Sequence, residues 1–178
     1  VDGAESEDYY ETLDDPYRAD NGPLDTVEEL LLVKGFTDTI LSGGSLELVE
    51  GGDPIPISGI GDLLTTYGDG KVNVNAASLR VLMTLPEVDE LVAGAIIEER
   101  EGWLGDEGEQ EDTSFRDVGD FMGRIPGINP ALNQYISIDS QIYRIRSVGT
   151  VHGVAREIWC ITRFENKKLT ILRWREED

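Results

Sequence analysis

The chain has 178 residues, with 15 lysines and arginines against 36 aspartates and glutamates and a net charge of −21; this length holds one domain or two small ones and can bury a real core without staples. So acidic a surface repels phosphate polyanions, which argues against nucleic acid as a partner and reads mainly as solvated charge. The single cysteine, Cys160, excludes an internal disulfide and a multi-thiolate zinc site, and no stretch reaches the roughly 18–20 apolar residues of a membrane span.

Residues 1–22 are acidic and rich in tyrosine, with Asp15-Pro16 and Asn21-Gly22 as turn signals, so irregular structure or a short edge strand is expected. From Pro23 the pattern changes. Thr26 and Glu29 form a capping box, Val27, Leu30 and Leu31 make one apolar helical face, and Gly35 stops the helix. The glycine-rich segment 42–70, with Pro54 and Pro56, predicts a surface excursion with one short strand near Leu46–Val49.

Asn75 is placed to cap a helix carrying Leu79, Leu82 and Met83. After Leu85-Pro86, Asp89 is placed to cap a second one that carries Leu91, Val92, Ala95 and Ile96 and ends before Gly102. A similar unit follows, with Val118, Phe121, Met122 and Ile125 on one face, then Pro126-Gly127, Asn129 as cap and Pro130 at the first helical position. Segment 26–42 reads as a third, shorter version. Between the two units, residues 105–112 carry dense negative charge and little to bury, which predicts a mobile loop.

The tail switches to a strand period. Gln141–Thr150, Val154–Phe164 and Leu169–Trp174 are rich in β-branched and aromatic residues and are separated by His152-Gly153 and Asn166-Lys167, so three antiparallel strands are expected. The middle strand carries apolar groups on both faces, Trp159 and Ile161 on one and Ile158 and Cys160 on the other. Each face then needs cover, and a long helix would supply it, but the chain has none. An uncovered apolar face is expected, with Trp159 and Ile161, or else Ile158 and Cys160, as the partner-binding residues.

The hairpins invite a helix-hairpin-helix nucleic-acid-binding module as the alternative function, because such units point backbone N–H groups at a phosphate. Leu85-Pro86-Glu87-Val88-Asp89, however, puts two carboxylates where the phosphate would sit, and Ile125-Pro126-Gly127-Ile128-Asn129 keeps only one glycine. No catalytic residues are expected. The lone histidine, His152, sits at a hairpin turn, and the chain has no nucleophile elbow, phosphate loop or histidine-rich metal motif. Calcium is the one ligand the composition favours. The acidic run Glu5, Glu7 and Asp8, with Asp14 and Asp15, is the candidate shell, and the 106–112 loop is a second.

Gly3-Ala4-Glu5-Ser6-Glu7-Asp8-Tyr9-Tyr10, then Pro16-Tyr17-Arg18-Ala19-Asp20-Asn21-Gly22-Pro23-Leu24 running into Glu28-Glu29-Leu30 and Val33-Lys34-Gly35, resembles general secretion pathway protein K, the K-type minor pseudopilin of the type II secretion system. Lys71-Val72-Asn73-Val74-Asn75-Ala76-Ala77 with Val81-Leu82, and Ala95-Ile96-Ile97 leading to Arg100, are similar to that family's entry to its helical domain. The likeness runs from residue 3 to about 136; an inserted Ser6 and the lack of a second cysteine depart from it.

The resemblance implies an α+β fold: a pilin-like antiparallel sheet, missing its N-terminal helix, with a large all-helical domain inserted. Residues 1–22 and 137–178 would form the pilin-like part and 23–136 the helical insert. It further implies a filament-tip protein made with a prepilin leader and anchored in the bacterial inner membrane by a helix absent here, with this part in the periplasm. I-type and J-type minor pseudopilins would be its partners, and calcium is implied in the helical domain. The chain opens at Val1 without methionine, which fits either a naturally removed segment or an artificial boundary, and these residues do not decide between the two.

Overall fold

A computed structural model describes residues 9–18, 22–47, 52–102 and 112–177. The chain divides into two compact units, Val1–Thr66 and Tyr67–Asp178.

In the first unit a 3-10 turn at Tyr10–Thr12 precedes a 3-10 helix at Val27–Leu32. The Thr26–Glu29 capping box forms as expected, with Thr26 N–H donating to Glu29 Oε1 at 3.0 Å. The helix is not the expected α-helix. It ends on an i→i+3 bond from Val33 N–H to Leu30 O, and only Val27 and Leu30 of its apolar face are half-buried, too little packing to hold longer α-turns. Helix α1 (Asp38–Ser42) leads into β1 (Gly43–Leu46), which pairs antiparallel with β2 (Ile55–Ser58). The strand expected at Leu46–Val49 thus lies earlier, and residues 48–51 fall outside the described ones. Glycine is required where β2 leaves the pair: a Cβ on Gly59 would sit 2.4 Å from Leu41 O. Only Tyr10 and Leu41 are buried apolar residues among the described part of this unit.

The second unit holds the main core. Strand β3 (Val72–Asn73) pairs in parallel with β4 (Ile136–Ser137) and ties the two ends of a helical body together. Between them lie α2 (Leu79–Leu82), α3 (Glu90–Glu101), α4 (Val118–Arg124) and a 3-10 helix at Pro130–Gln134. The caps are side chains of the expected kind: Asp89 accepts from Val92 N–H, Asp117 from Asp120 N–H, and Asn129 from Ala131 N–H, each at 2.9 Å. One cap differs. Ser78, not Asn75, caps α2 by accepting from Val81 N–H at 3.3 Å.

The connections after α2 and α4 each place one residue in the left-handed region, Glu87 at φ 61° and Gly127 at φ 77°. The helices bury Leu82, Leu85, Val88, Ala93, Ile96, Phe115, Phe121, Ile125 and Leu132 together with Val74 and Ile136, and Phe115 and Phe121 meet edge to face at 5.0 Å. The α3 face differs from expectation. Leu91 is 81% exposed, while Ala93 and Ile96 are buried and Ile97 and Arg100 continue that stripe at i, i+3, i+4 and i+7. Residues 103–111, which contain most of the expected mobile loop, lie outside the described residues.

Past β4 the chain enters a meander of three antiparallel strands, β5 (Ile142–Val151), β6 (Val154–Glu165) and β7 (Lys168–Glu177), with β6 in the middle. Both turns have positive φ at their two central residues, His152 (51°) and Gly153 (82°), then Asn166 (51°) and Lys167 (62°). That conformation matches the strands' right-handed twist and fixes the register. The whole is a mixed α+β arrangement of helices and antiparallel sheet.

Candidate functional site

The register of the terminal sheet sorts its residues by face, because opposed residues in an antiparallel pair point the same way. One face carries Tyr143, Ile145, Val151, Val154, Ile158, Cys160, Phe164, Leu169, Ile171 and Trp174. Most of these stand in solvent, Ile145 at 45% and Trp174 at 54%. Arg156, Ser147 and Glu176 are the polar exceptions near its far end, and Thr162, donating to Tyr143 O at 3.4 Å, is buried. An apolar surface of this extent is rare on a monomer and marks a place to be covered.

The opposite face carries the expected partner residues Trp159 and Ile161, and they are dressed in arginine. Arg144 and Arg173 flank Ile161 in register, and Arg146 and Arg175 flank Trp159. The guanidinium carbons of Arg144 and Arg173 each lie 5.8 Å from the Trp159 ring centre. Ile161 is only 5% exposed. Arg146 pairs with Glu157, and its hydrogen bonds hold the Glu157 carboxyl below the ordinary carboxylate range. The open apolar face is therefore the one with Ile158 and Cys160, the second of the two expected alternatives, and Trp159 and Ile161 lie on the other side.

The N-terminal unit joins its tyrosines to one lysine. The rings of Tyr9 and Tyr10 meet edge to face at 5.1 Å, and Tyr10 and Tyr17 are also 5.1 Å apart. Lys34 Nζ sits 4.1 Å over the Tyr9 ring, and its backbone N–H donates to the Tyr10 hydroxyl at 3.2 Å. Tyr17 donates its hydroxyl to Leu32 O, and burial raises its pKa, with Tyr10 and Tyr9 adding to the effect. Glu5, Glu7 and Asp8 lie outside the described residues. Among the described residues no group of three or more histidine, cysteine, aspartate or glutamate side chains is placed to hold a metal ion; of the two calcium candidates only Asp14, Asp15 and Asp112 are among the described residues.

Four polar residues of the second unit do work that sequence patterns did not assign. Asn75 spans the helical body: its Oδ1 accepts from Phe115 N–H at 2.8 Å, and its Nδ2 donates to Phe115 O at 2.9 Å and Ile138 O at 3.2 Å. Asn73 holds it there, accepting Asn75 N–H at 2.9 Å while donating to Ser140 Oγ at 2.7 Å. Arg100 donates to Val74 O and Ala77 O at 2.9 and 2.8 Å.

Arg124 reaches Glu99 Oε1 (2.8 Å), Glu99 O (2.9 Å) and Thr113 O (2.8 Å) and lies over the Phe115 ring at 4.6 Å. Its pKa is raised, first by the hydrogen bond to Glu99, with burial opposing. Asp120 is pulled below its ordinary value by the Arg116 backbone N–H and then by Arg124. These groups satisfy backbone carbonyls that would otherwise be shielded from water without a partner; no unsatisfied buried side-chain polar atom remains among the described residues.

Glu87 and Asp89 stand at the first hairpin, where Glu87 accepts a 3.0 Å bond from Asn129 Nδ2. The hairpin therefore presents carboxylate where a phosphate binder presents bare N–H groups.

A family model described as Type II secretion system (T2SS), protein K matches residues 1–42. The N-terminal region is thus protein K-like, and the matched stretch contains the tyrosine cluster, Lys34 and the capped Val27–Leu32 helix. No curated protein and no solved structure matches the chain. Among the described residues no helix is long and apolar enough to cross a membrane.

Proposed function

We propose that this chain is the periplasmic part of a K-type minor pseudopilin that sits at the tip of the type II secretion pseudopilus and acts by position, not by catalysis. The protein K-like N-terminal region carries this reading. The terminal sheet supports it, because a three-stranded antiparallel sheet with one open apolar face is the half of a pilin-like fold that waits for a long N-terminal helix. On this reading that helix anchors the protein in the inner membrane, the sheet joins I-type and J-type minor pseudopilins, and the helical body is an inserted domain whose bulk stops another subunit from adding above it.

The acidic hairpin at Glu87 and Asp89 speaks against a nucleic-acid-binding module. Calcium belongs to the proposal only through Glu5, Glu7 and Asp8, whose replacement by alanine together should abolish any rise in Tm produced by the ion. Mixing the chain with soluble I-type and J-type minor pseudopilins tests the reading. One heterotrimer on size exclusion is expected, together with no DNA gel shift at low salt. Failure to associate with either pseudopilin, or a DNA shift that weakens steeply with salt, overturns it.

A further inference from the structure

The sheet's second face is charged against the grain of the molecule. Residues 1–140 hold 7 lysines and arginines against 31 acids, a net of −24, whereas residues 141–178 hold 8 against 5, a net of +3. The register concentrates the positive charge further. Arg144, Ile161 and Arg173 form one row across the three strands, and Arg146, Trp159 and Arg175 form the next. Arg163 follows on the same face, beside Ile142 and Thr170. Two rows along a strand are about 7 Å apart, and the outer strands lie about 10 Å apart across β6, so four arginine positions bracket Trp159 and Ile161 within a small rectangle of backbone.

None of these arginines is directly opposite another across a strand pair, but guanidinium charges gathered on one face still repel one another through space. Among the described residues no carboxylate is paired with Arg144, Arg163 or Arg173. We propose that this arginine-framed face is a docking site for an acidic protein segment, with Trp159 at its centre. Arginine and tryptophan are the side chains that dominate binding hot spots, and planar guanidinium groups take carboxylates in bidentate pairs. Carboxylates at alternate positions of an extended strand are spaced about 7 Å apart, which matches the row spacing. Glu157 separates this face from a site for uniform polyanions: it stands one row beyond Trp159, opposite Val148 and Glu177, and pairs with Arg146, so carboxylate bounds the arginine rows where an extended surface of anionic headgroups would be repelled, whereas a discrete acidic segment stops short of it.

Arginines on edge strands also guard against aggregation. That role does not account for their one-sidedness, since the same edge strands place no arginine on the opposite, apolar face, where Arg156 of the central strand β6 is the one arginine among the described residues. The proposal rests on the sheet and is independent of the type II secretion reading.

The test is titration of the full chain with a twelve-residue peptide alternating glutamate and serine, in 50 mM salt, beside the same peptide with glutamine for glutamate and beside phosphatidylglycerol vesicles. Saturable binding of the glutamate peptide is expected, weakened tenfold or more by Arg144→Ala with Arg173→Ala and unchanged by Arg156→Ala on the other face. Circular dichroism establishes that each variant is folded, and Arg144→Lys with Arg173→Lys, which keeps the charge but not the fork, provides an intermediate affinity that a folding defect would not. No binding of the glutamate peptide, equal loss in Arg156→Ala, or tighter arginine-dependent binding to the vesicles than to the peptide overturns the proposal.

Discussion

The helical body and the terminal sheet are neighbours in one compact unit yet solve burial in opposite ways. The body closes on itself: eleven apolar residues are buried among the described ones, and Asn75, Arg100 and Arg124 satisfy backbone carbonyls around them. The sheet has regular pairing and well-formed turns but leaves one broad face apolar in solvent and frames the other with arginine. The difference shows that backbone hydrogen bonding alone completes a sheet without completing a fold. What is missing from the sheet is a second layer, and a region lacking one is where partners are to be sought.

The largest expected effect breaks the closed region. Phe121→Ala removes a fully buried ring that meets Phe115 and should cost about 3–5 kcal/mol in denaturant unfolding. Ile145→Ser with Ile171→Ser, on the open face, should change stability by under ~1 kcal/mol while lowering the binding of an apolar dye. Comparable costs at the two sites would mean that the open face is covered in the isolated chain.

Asn75→Ala should come next, at about 2–4 kcal/mol, because it strands the N–H and C=O of Phe115 and the C=O of Ile138 in a half-buried setting. Asn75→Asp separates hydrogen bonding from shape: it keeps the acceptor for Phe115 N–H but turns the donor into a second acceptor facing two carbonyls. A thermal melt that places Asn75→Asp at wild-type stability would show that the bonds to Phe115 O and Ile138 O contribute nothing.

That asparagine also marks the limit of what the sequence discloses. The helices of the body, two of their caps and the three strands with their turns were legible, because Asp89, Asn129, His152-Gly153 and Asn166-Lys167 act locally. Asn75 looked like one more local cap, but its partners lie about 40 and 63 positions away, and no window of sequence contains them. Leu91 misled for a related reason. Leu91, Val92, Ala95 and Ile96 make a credible stripe, yet Ala93 and Arg100 lie on the buried side because the β3 loop and Phe115 are there to receive them.

At the sheet, alternation showed that both faces of β6 are apolar. Which face stays open depended on the cross-strand register, which sets arginines beside Trp159 and Ile161 and apolar side chains beside Ile158 and Cys160. The 3-10 form of Val27–Leu32 was illegible because capping signals do not distinguish a helix with neighbours from one almost without them.

A smaller effect sharpens the comparison through pH. Asp120 in the body and Glu157 in the sheet both have carboxyl pKa values lowered by hydrogen bonds, from the Arg116 backbone and from Arg146 respectively. A lowered folded-state value means that each group's contribution is present above the unfolded carboxyl range, about pH 4, and is lost as pH falls through the folded value. As pH falls below ~4, Tm should drop less steeply in Asp120→Asn than in the parent chain, whereas Glu157→Gln, on an exposed pair, should alter the profile less. Parallel profiles for Asp120→Asn and the parent would remove Asp120 from the list of stabilising groups.

The helical body is complete and the sheet is not, a contrast that hydrogen–deuterium exchange of the chain alone and with soluble I-type and J-type minor pseudopilins reads out amide by amide. In the isolated chain the slowest amides should lie in α3, α4 and the β3–β4 pair, with the edge strands β5 and β7 exchanging fast. Adding the partners should slow exchange across 142–177 and leave 72–137 unchanged. New protection confined to the helical body, with the sheet unaffected, would contradict the account.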